Sequence, residues 1–399
     1  MDRNILHSIV WNRFISKQYG HILSYVDENG YAAIPTPEEC NSNNPNAYGY
    51  GTPLEDGAFY SGLYAGALFR EYNKTHDAET AKCLETLINA LLRLQDVSTA
   101  DGFIARGVAT DGISHYSGSS EDQVFPWIMA MYDYYNSDLC KDKEDIKGRL
   151  LREIEGVWPK DYRKPMFHTT DCAERGDHET TDWRGICSMM YCARLRAELT
   201  QDPDDLAHYE FLRDTKPAES PFYTRGEMLA NSVASTMTRR YKYVITPYIV
   251  ISFHMALMQL AEWDETMTQQ YKNACAQNGI IGLSYAEDLL KYDNQHGYNN
   301  VDWRLMKLAW KPFNGDRSTI RALVREEAAM FGRSRDHANV EGEAMDAICG
   351  IWIALTCGDA KTKALACEAI DLYFDKIDWD TFMMPVPFAA ECCMIFADK

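Results

Sequence analysis

Hydrophobic positions along the 399-residue chain recur at helical spacing and form two kinds of segment. In residues 77–96 the apolar side chains share one helical face and charged residues fill the rest, which predicts an amphipathic helix. Similar amphipathic runs are 4–26, 142–157, 203–214, 264–276, 316–331 and 360–376. The segments between them are apolar around most of the circumference, which is typical of buried helices; these are 56–71, 122–135, 183–198, 246–261, 299–311 and 341–356.

This alternation predicts an all-α fold. An inner ring of buried helices wrapped by an outer ring of amphipathic helices explains both kinds of segment, so we expect an (α/α)6 toroid. Because each added helix pair extends one continuous core, residues 1–399 are expected to form a single catalytic domain. An open α-solenoid is the alternative, and its buried helices would be less uniformly apolar.

The connections between helices are unequal in length. Those that lead from an amphipathic helix into the next buried helix are long, whereas the reverse connections are mostly short. Long loops in compact domains usually carry function. In a toroid these loops would gather at the end where the inner helices begin, so we expect the functional site on that face. The long connections are 27–55, 97–121, 158–182, 215–245, 277–298 and 332–340.

Two phrases in the first third of the chain resemble the six-hairpin glycosidase superfamily. LEDGAFYSGLYAGALFREYNKTHDAET is similar to its first inner helix and the turn after it, and DGFIARGVATDG followed by SSEDQVFPWIMAMYDYY is similar to the next loop and inner helix. The superfamily includes glucuronyl hydrolases, β-glucuronidases, sugar epimerases and polysaccharide lyases. The resemblance implies a carbohydrate substrate and chemistry at one end of the barrel, but no individual catalytic residue.

Acidic residues stand where long loops meet buried helices. Glycoside hydrolysis needs two carboxyl groups, one protonated and one ionised, and we favour Asp122 with Asp182, followed by Asp56, as catalytic residues. The alternative for each acid is a structural one, because an acid in the first helical turn complements the helix dipole. Ser120 with Gln123 also has the spacing of a capping box.

The same loops carry histidines, arginines and aromatic residues that suit a sugar site. Histidine orients hydroxyl groups or moves protons near neutral pH, and arginine binds a carboxylate in a bidentate fork, which favours a uronic acid. For each residue the alternative is an ordinary surface or core position. The candidate substrate contacts are Arg106, His115, Glu121, His168, His178, Trp183, Arg239, Arg240 and Tyr241.

These observations predict a glycoside hydrolase that acts, in exo fashion, on an acidic, uronic-acid-containing oligosaccharide in polysaccharide degradation. A polysaccharide lyase is one alternative, with Tyr241 or His168 as its base. A sugar epimerase would instead need a pair of histidines, and a non-catalytic carbohydrate-binding toroid would use the acids only as helix caps. We expect no cofactor and no metal, since the polar loop HTTDCAERGDHETTDWRG fits no familiar zinc spacing.

Composition narrows the partners and the compartment. The formal net charge of −19 argues against binding to nucleic acid or to an anionic membrane. The 12 cysteines are scattered without a CxxC pair, which favours free thiols in a reducing compartment. We therefore expect a cytoplasmic protein, or a periplasmic one if a leader has been removed. The aromatic loop NSNNPNAYGYGTP permits a homodimer.

Overall fold

The computed structural model describes residues 1–159, 171, 178–218, 220, 222–231, 246–292, 303–305 and 336–399. Over these ranges the chain is all-α, and its only strand-like feature is an isolated antiparallel bridge between Ile15 and Ile22. The helices are α1 (Arg3–Ile9), α2 (Pro37–Asn41), α3 (Gly57–Thr75), α4 (Ala78–Asp96), α5 (Glu121–Asn136), α6 (Lys143–Val157), α7 (Trp183–Thr200), α8 (Pro203–Asp214), α9 (Arg225–Asn231), α10 (Pro247–Trp263), α11 (Thr268–Leu283), α12 (Asp336–Thr356), α13 (Ala360–Tyr373) and α14 (Val386–Phe396).

Buried and amphipathic helices pack in pairs. Helix α3 packs on α4, α5 on α6, α7 on α8, α10 on α11, and α12 on α13. The sixth pair joins the two ends of the described chain, because the buried C-terminal helix α14 packs on α1. Each buried helix thus packs on an amphipathic helix, and α12 packs on two of them, α11 and α13.

The buried helices also contact one another in sequence. Helix α3 packs on α5, α7 on α10, α10 on α12, α12 on α14, and α14 returns to α3. The link between α5 and α7 is an edge-to-face contact of Phe125 with Tyr191, whose ring centroids lie 5.4 Å apart. Aromatic side chains fill the space between these helices, as in the stacked pair Phe125–Phe253 at 5.1 Å.

The structure departs from the predicted helices at both ends of the chain. The predicted helix 4–26 ends early: α1 continues only as a π-helical turn, Val10–Phe14, and the chain then reverses at Gly20, whose φ of 79° is left-handed. Helix α14 was not predicted, because its 11 residues are almost all apolar and show no helical alternation with polar positions. The predicted helices 299–311 and 316–331 lie outside the described residues, apart from a 3-10 turn at Trp303–Leu305.

The cysteines are free thiols wherever the structure describes them, and most are buried. Cys172 lies outside the described residues. Across the described ranges, no helix is both long and apolar enough to cross a membrane.

Close contact between α3 and α5 generates a prediction about stability. A Cβ atom at Gly62 would lie 2.6 Å from the carbonyl oxygen of Pro126, so Gly62→Ala must push the two helices apart. We expect a loss of about 1–3 kcal/mol in the free energy of unfolding. Gly148→Ala in α6 is the matched control, since a Cβ there meets nothing within 4 Å and alanine favours the helix by about 0.5–1 kcal/mol. Urea denaturation followed by circular dichroism measures both, and a Gly62→Ala variant as stable as the wild type contradicts the prediction.

Candidate active site

The N-terminal ends of the buried helices meet through side-chain hydrogen bonds. Tyr248, in the first turn of α10, places its hydroxyl 3.1 Å from Oδ2 of Asp56, which precedes α3. On α12, Asp346 Oδ1 accepts a hydrogen bond from the Tyr248 backbone N–H at 3.2 Å. Ser188 of α7 donates to the Glu121 carboxylate at the start of α5. Five helices therefore contribute to one polar centre: α3, α5, α7 and α10 near their starts, and α12 from its middle, where Asp346 lies.

Arg106 and Asp56 form the buried ion pair of this centre. Arg106 Nη1 lies 2.9 Å from Asp56 Oδ1 and also donates to the Glu55 carbonyl at 2.6 Å, while Nη2 donates to Ser120 Oγ at 2.6 Å. The Arg106 side chain is 1% exposed, whereas 19% of the Asp56 side chain reaches solvent. Both terminal nitrogens of this predicted substrate contact are thus bound by protein, so Arg106 holds the Asp56 carboxylate in place.

The loop 48–50 packs over the same guanidinium. The rings of Tyr48 and Tyr50 stack with centroids 5.3 Å apart, and the Arg106 guanidinium carbon lies 5.5 Å and 5.2 Å from their centroids. Cation–π contact of this kind stabilises a desolvated guanidinium. The structure therefore places Tyr48 in the core, beside the ion pair.

Gln123 has a different role from the one that its spacing indicated. Its Nε2 donates to Asp56 Oδ1 at 2.7 Å and its Oε1 accepts from the Phe59 backbone N–H at 3.1 Å, so the amide bridges α5 and α3. Ser120, the N-cap of α5, makes no capping hydrogen bond; its hydroxyl accepts from Arg106 and donates to Asp122. The capping-box interpretation of Ser120 and Gln123 is therefore wrong.

A contrast in capping separates the two kinds of helix. The residues that precede the buried helices α3, α5, α7 and α10 make no side-chain cap hydrogen bond. Five amphipathic helices, in contrast, are capped by an aspartate that accepts from the backbone N–H of the second or third helical residue; these caps are Asp2, Asp77, Asp142, Asp202 and Asp359. The amphipathic helix α11, which follows Met267, has no such cap. Acids at the starts of the buried helices are thus used for something other than capping.

Four carboxyl groups form a line across the starts of α3, α5 and α7. Asp122 acts electrostatically on both Asp56 and Glu121, and Asp182 acts on Glu121. Burial raises the pKa of Glu121 to about 7, with the Ser188 hydrogen bond acting against the rise and Asp122 adding to it. Burial also raises the pKa of the Asp56 carboxyl, which Arg106 opposes. At neutral pH the line therefore contains a carboxyl group that is partly protonated, Glu121.

Glu55 is a further carboxyl group with a raised pKa, and it supports the loop before α3. Burial and the neighbouring Asp56 raise the pKa of Glu55 to about 7. Glu55 Oε2 accepts from the Gly51 backbone N–H at 2.7 Å, and Tyr25 also hydrogen-bonds its carboxylate. Glu55 thus fixes the loop before α3.

The remaining predicted acid, Asp182, lies at the edge of the line. Its Oδ2 lies 3.0 Å from Arg184 Nε, and the side chains are 40% and 39% exposed. The next residue, Trp183, is buried, and its Nε1 donates to the Leu229 carbonyl at 3.3 Å. The structure therefore places Asp182 beside the carboxylate line and Trp183 in the core.

The histidines predicted in the loops have separate environments. His115 Nε2 lies 3.2 Å from Asp171 Oδ1, and its Nδ1 lies 3.0 Å from the Ile113 carbonyl. The His178 ring lies 5.7 Å from that of Trp158, and its carbonyl accepts from Arg225 at 2.6 Å. Neither histidine has a described contact with the carboxylate line. The other predicted contacts, His168, Arg239, Arg240 and Tyr241, lie outside the described residues.

Sequence reasoning missed Tyr248 and Asp346 as members of the centre. The Tyr248 and Tyr60 hydroxyls lie 3.2 Å apart, and Asp346 accepts from the start of α10. Tyr248 is the second residue of a buried helix, and this position is the signal that pointed to the acids in α5. Glu341, the sixth residue of α12, is structural, because its carboxylate accepts from the Met383 and Met384 backbone N–H groups.

The capping contrast predicts unequal effects of two aspartate substitutions. Asp359→Ala removes the hydrogen bond to the Thr362 N–H at 2.8 Å and should lower the free energy of unfolding by about 1 kcal/mol. Asp182→Ala removes an exposed ion pair only and should change it by less than about 0.5 kcal/mol. Equal losses in urea denaturation would mean that Asp182 is a cap.

The raised pKa of Glu121 predicts a pH dependence of stability. Because this pKa is about 7 in the folded chain against an ordinary value of 4.5, the folded state binds more protons between those values, and stability falls as the pH rises through that window. Glu121→Gln has no such proton to lose. From pH 4.5 to pH 8 its free energy of unfolding should therefore rise, relative to that of the wild type, by at most about 3 kcal/mol. Thermal denaturation across that range measures the gain. The exposed Glu79→Gln is the control, and a gain no larger than its own contradicts the prediction.

Comparison with protein-family models, with curated proteins and with solved structures finds no significant match. The likeness to six-hairpin glycosidases thus rests on the two sequence phrases and on the order of helices. Any assignment of function must come from the site itself.

Proposed function

We propose that the chain is an (α/α)6 toroid that hydrolyses glycosidic bonds in an acidic, uronic-acid-containing oligosaccharide. The observation that carries this proposal is the line of carboxyl groups at the starts of α3, α5 and α7, where the N-cap side chains make no cap hydrogen bonds. Two carboxyl groups held in different protonation states are what glycoside hydrolysis requires.

The helix packing supports the toroid. The buried helices contact one another in a series that returns from α14 to α3, and each packs on an amphipathic helix. In addition, Tyr248 of α10 reaches Asp56 before α3, although these helices are not neighbours in that series. This contact is expected across the centre of a ring, and an open solenoid would keep the two helices apart.

Glu121 and Asp122 suit the two roles. Glu121, with a pKa raised to about 7, is the group that retains a proton near neutral pH and would donate it to the glycosidic oxygen. Asp122 is half-buried, and Ser120 binds only its Oδ1, so Oδ2 has no hydrogen bond within the described ranges. Asp122 is therefore the second carboxyl group of the pair, free to act on the sugar carbon directly or through a water molecule.

The fixed residues around this pair give it a rigid setting. Asp56, held by Arg106, Gln123 and Tyr248, adds a negative charge near the developing oxocarbenium ion. A uronate carboxylate needs a cation at the mouth of the site. Arg184, 39% exposed beside Asp182, is the described arginine nearest the carboxylate line that offers one.

The tyrosines of the centre, Tyr60 and Tyr248, are poorly suited to be the base of a lyase. A lyase needs a base that removes the proton next to the uronate carboxyl. Burial raises the pKa values of Tyr60 and Tyr248 well above the ordinary 10, and the charge of Asp56 adds to the rise in both. Neither phenol is therefore easily ionised.

The direct test is a product assay on uronate-containing oligosaccharides and aryl glucuronides. Release of reducing sugar without the ultraviolet absorbance of an unsaturated uronate is the expected result. Absorbance without hydrolysis would show elimination. If neither reducing sugar nor ultraviolet absorbance appears, the uronate hydrolase is excluded, and an epimerase or a binding protein remains.

Two variants separate the proposed roles, and we expect each to lower kcat by about 10²–10⁴-fold on natural oligosaccharides. Glu121→Gln should retain activity on aryl glucuronides with acidic leaving groups, which need no proton donor. It should also lose the decline in rate that the wild type shows as pH rises through about 7. Asp122→Asn should lose activity on both kinds of substrate, the natural oligosaccharides and the aryl glucuronides. Glu79→Gln, at an exposed position of α4, is the matched control and should keep full activity. The assignment is contradicted if only Glu79→Gln loses activity, or if Glu121→Gln and Asp122→Asn lose activity on aryl glucuronides to the same extent.

A further inference from the structure

A pocket of about 210 Å³ lies between α1, α3 and α4, and no member of the carboxylate line borders it. Its lining includes Arg3, His7, Leu68, Glu71, Thr80 and Cys83. Cys83 is half-buried, in contrast to the fully buried thiols of the inner helices. A thiol is therefore presented to a space that a small molecule can enter.

Cys83, His7 and Glu391 form a connected series in this pocket. Cys83 Sγ lies 3.9 Å from His7 Nε2, and His7 Nδ1 lies 2.8 Å from Glu391 Oε1. Glu391 is fully buried and also accepts from the Tyr64 hydroxyl at 2.6 Å. The carboxylate thus orients the imidazole, and the opposite nitrogen of the ring faces the sulfur.

This arrangement is the one that activates thiols. An imidazolium beside a cysteine stabilises the thiolate, which is the nucleophilic form, and a carboxylate on its other nitrogen keeps the ring charged and oriented. Although desolvation acts to lower it, the hydrogen bonds with Cys83 and Glu391 raise the pKa of His7 to about 10. His7 therefore carries a positive charge at neutral pH.

Other charged groups around the pocket have partners of their own. Arg3 binds Glu71 and lies 3.7 Å from Glu391. Asp77 caps α4 by accepting from the Thr80 N–H at 2.8 Å, and Glu79 pairs with Lys82 at 2.7 Å. Because these carboxylates are occupied, the imidazolium of His7 is the charge that bears most directly on the sulfur.

We propose that Cys83 is a reactive thiol and a site of covalent modification by small neutral electrophiles, hydroperoxides among them. With an alkyl halide the sulfur–carbon bond forms as the carbon–halogen bond breaks and halide leaves. With a hydroperoxide the sulfur–oxygen bond forms as the oxygen–oxygen bond breaks. The product is a sulfenic acid, and the alkoxide or hydroxide that leaves takes the proton of His7.

Pulse labelling with iodoacetamide, followed by peptide mapping, tests the proposal on the intact chain. The rate at each cysteine is divided by its rate in the urea-unfolded chain, which removes local sequence effects. Cys367 is the matched comparator, because it is also half-buried and free but has no histidine contact within the described residues. We expect Cys83 to react about tenfold faster than Cys367 at neutral pH.

In His7→Gln the alkylation rate of Cys83 should fall to that of Cys367, whose own rate should not change. Circular dichroism shows whether the variant is folded. Prior exposure to hydrogen peroxide should block Cys83 before Cys367. A wild-type Cys83 that reacts no faster than Cys367 overturns the proposal without any variant. If hydrogen peroxide blocks Cys367 before Cys83, hydroperoxides are not among the electrophiles that modify Cys83.

Discussion

The buried ion pair between Arg106 and Asp56 is the interaction on which the polar centre depends. A charge removed from water must be matched by hydrogen bonds, or it destabilises the fold. Here Arg106 reaches the carbonyl of Glu55 and the hydroxyl of Ser120, while Asp56 also receives Gln123 and Tyr248. One pair therefore sets the positions of three helix starts. Asp122 and Glu121, at the start of α5, are thereby positioned relative to this pair.

Helix ends explain why the acids can gather there. The start of a helix carries partial positive charge and unpaired N–H groups, and most of the amphipathic helices satisfy these locally with their own aspartates. At the starts of the buried helices α3 and α10 the N-cap side chains do not do so, and side chains of other helices, Gln123 and Asp346, accept from these N–H groups instead. The field of several helix starts thus lowers the repulsion among the carboxylates, and it leaves side chains such as Asp122 able to meet a ligand.

Much of the fold follows from local patterns, and the centre follows only in part. Helical alternation predicts α4 and α6 within a residue at each end, because both have one apolar stripe. It misses α14, which is buried on all sides, and it extends α1 past the reversal at Gly20. Position at a helix start identifies Asp56, Glu121 and Asp122. It cannot identify Tyr248, whose contact with Asp56 joins residues 192 positions apart, nor can it say whether Gln123 faces its own helix or the next one.

The pairing of α14 with α1 has a consequence for how the chain is made. His7 and Glu391 are 384 positions apart, so α1 lacks the helix on which it mainly packs until α14 has been synthesised. Contacts of such long range form slowly, and until they form the apolar side of α1 stays exposed to water. The nascent chain therefore carries α1 without its main helical partner until the eleven residues of α14 have been made.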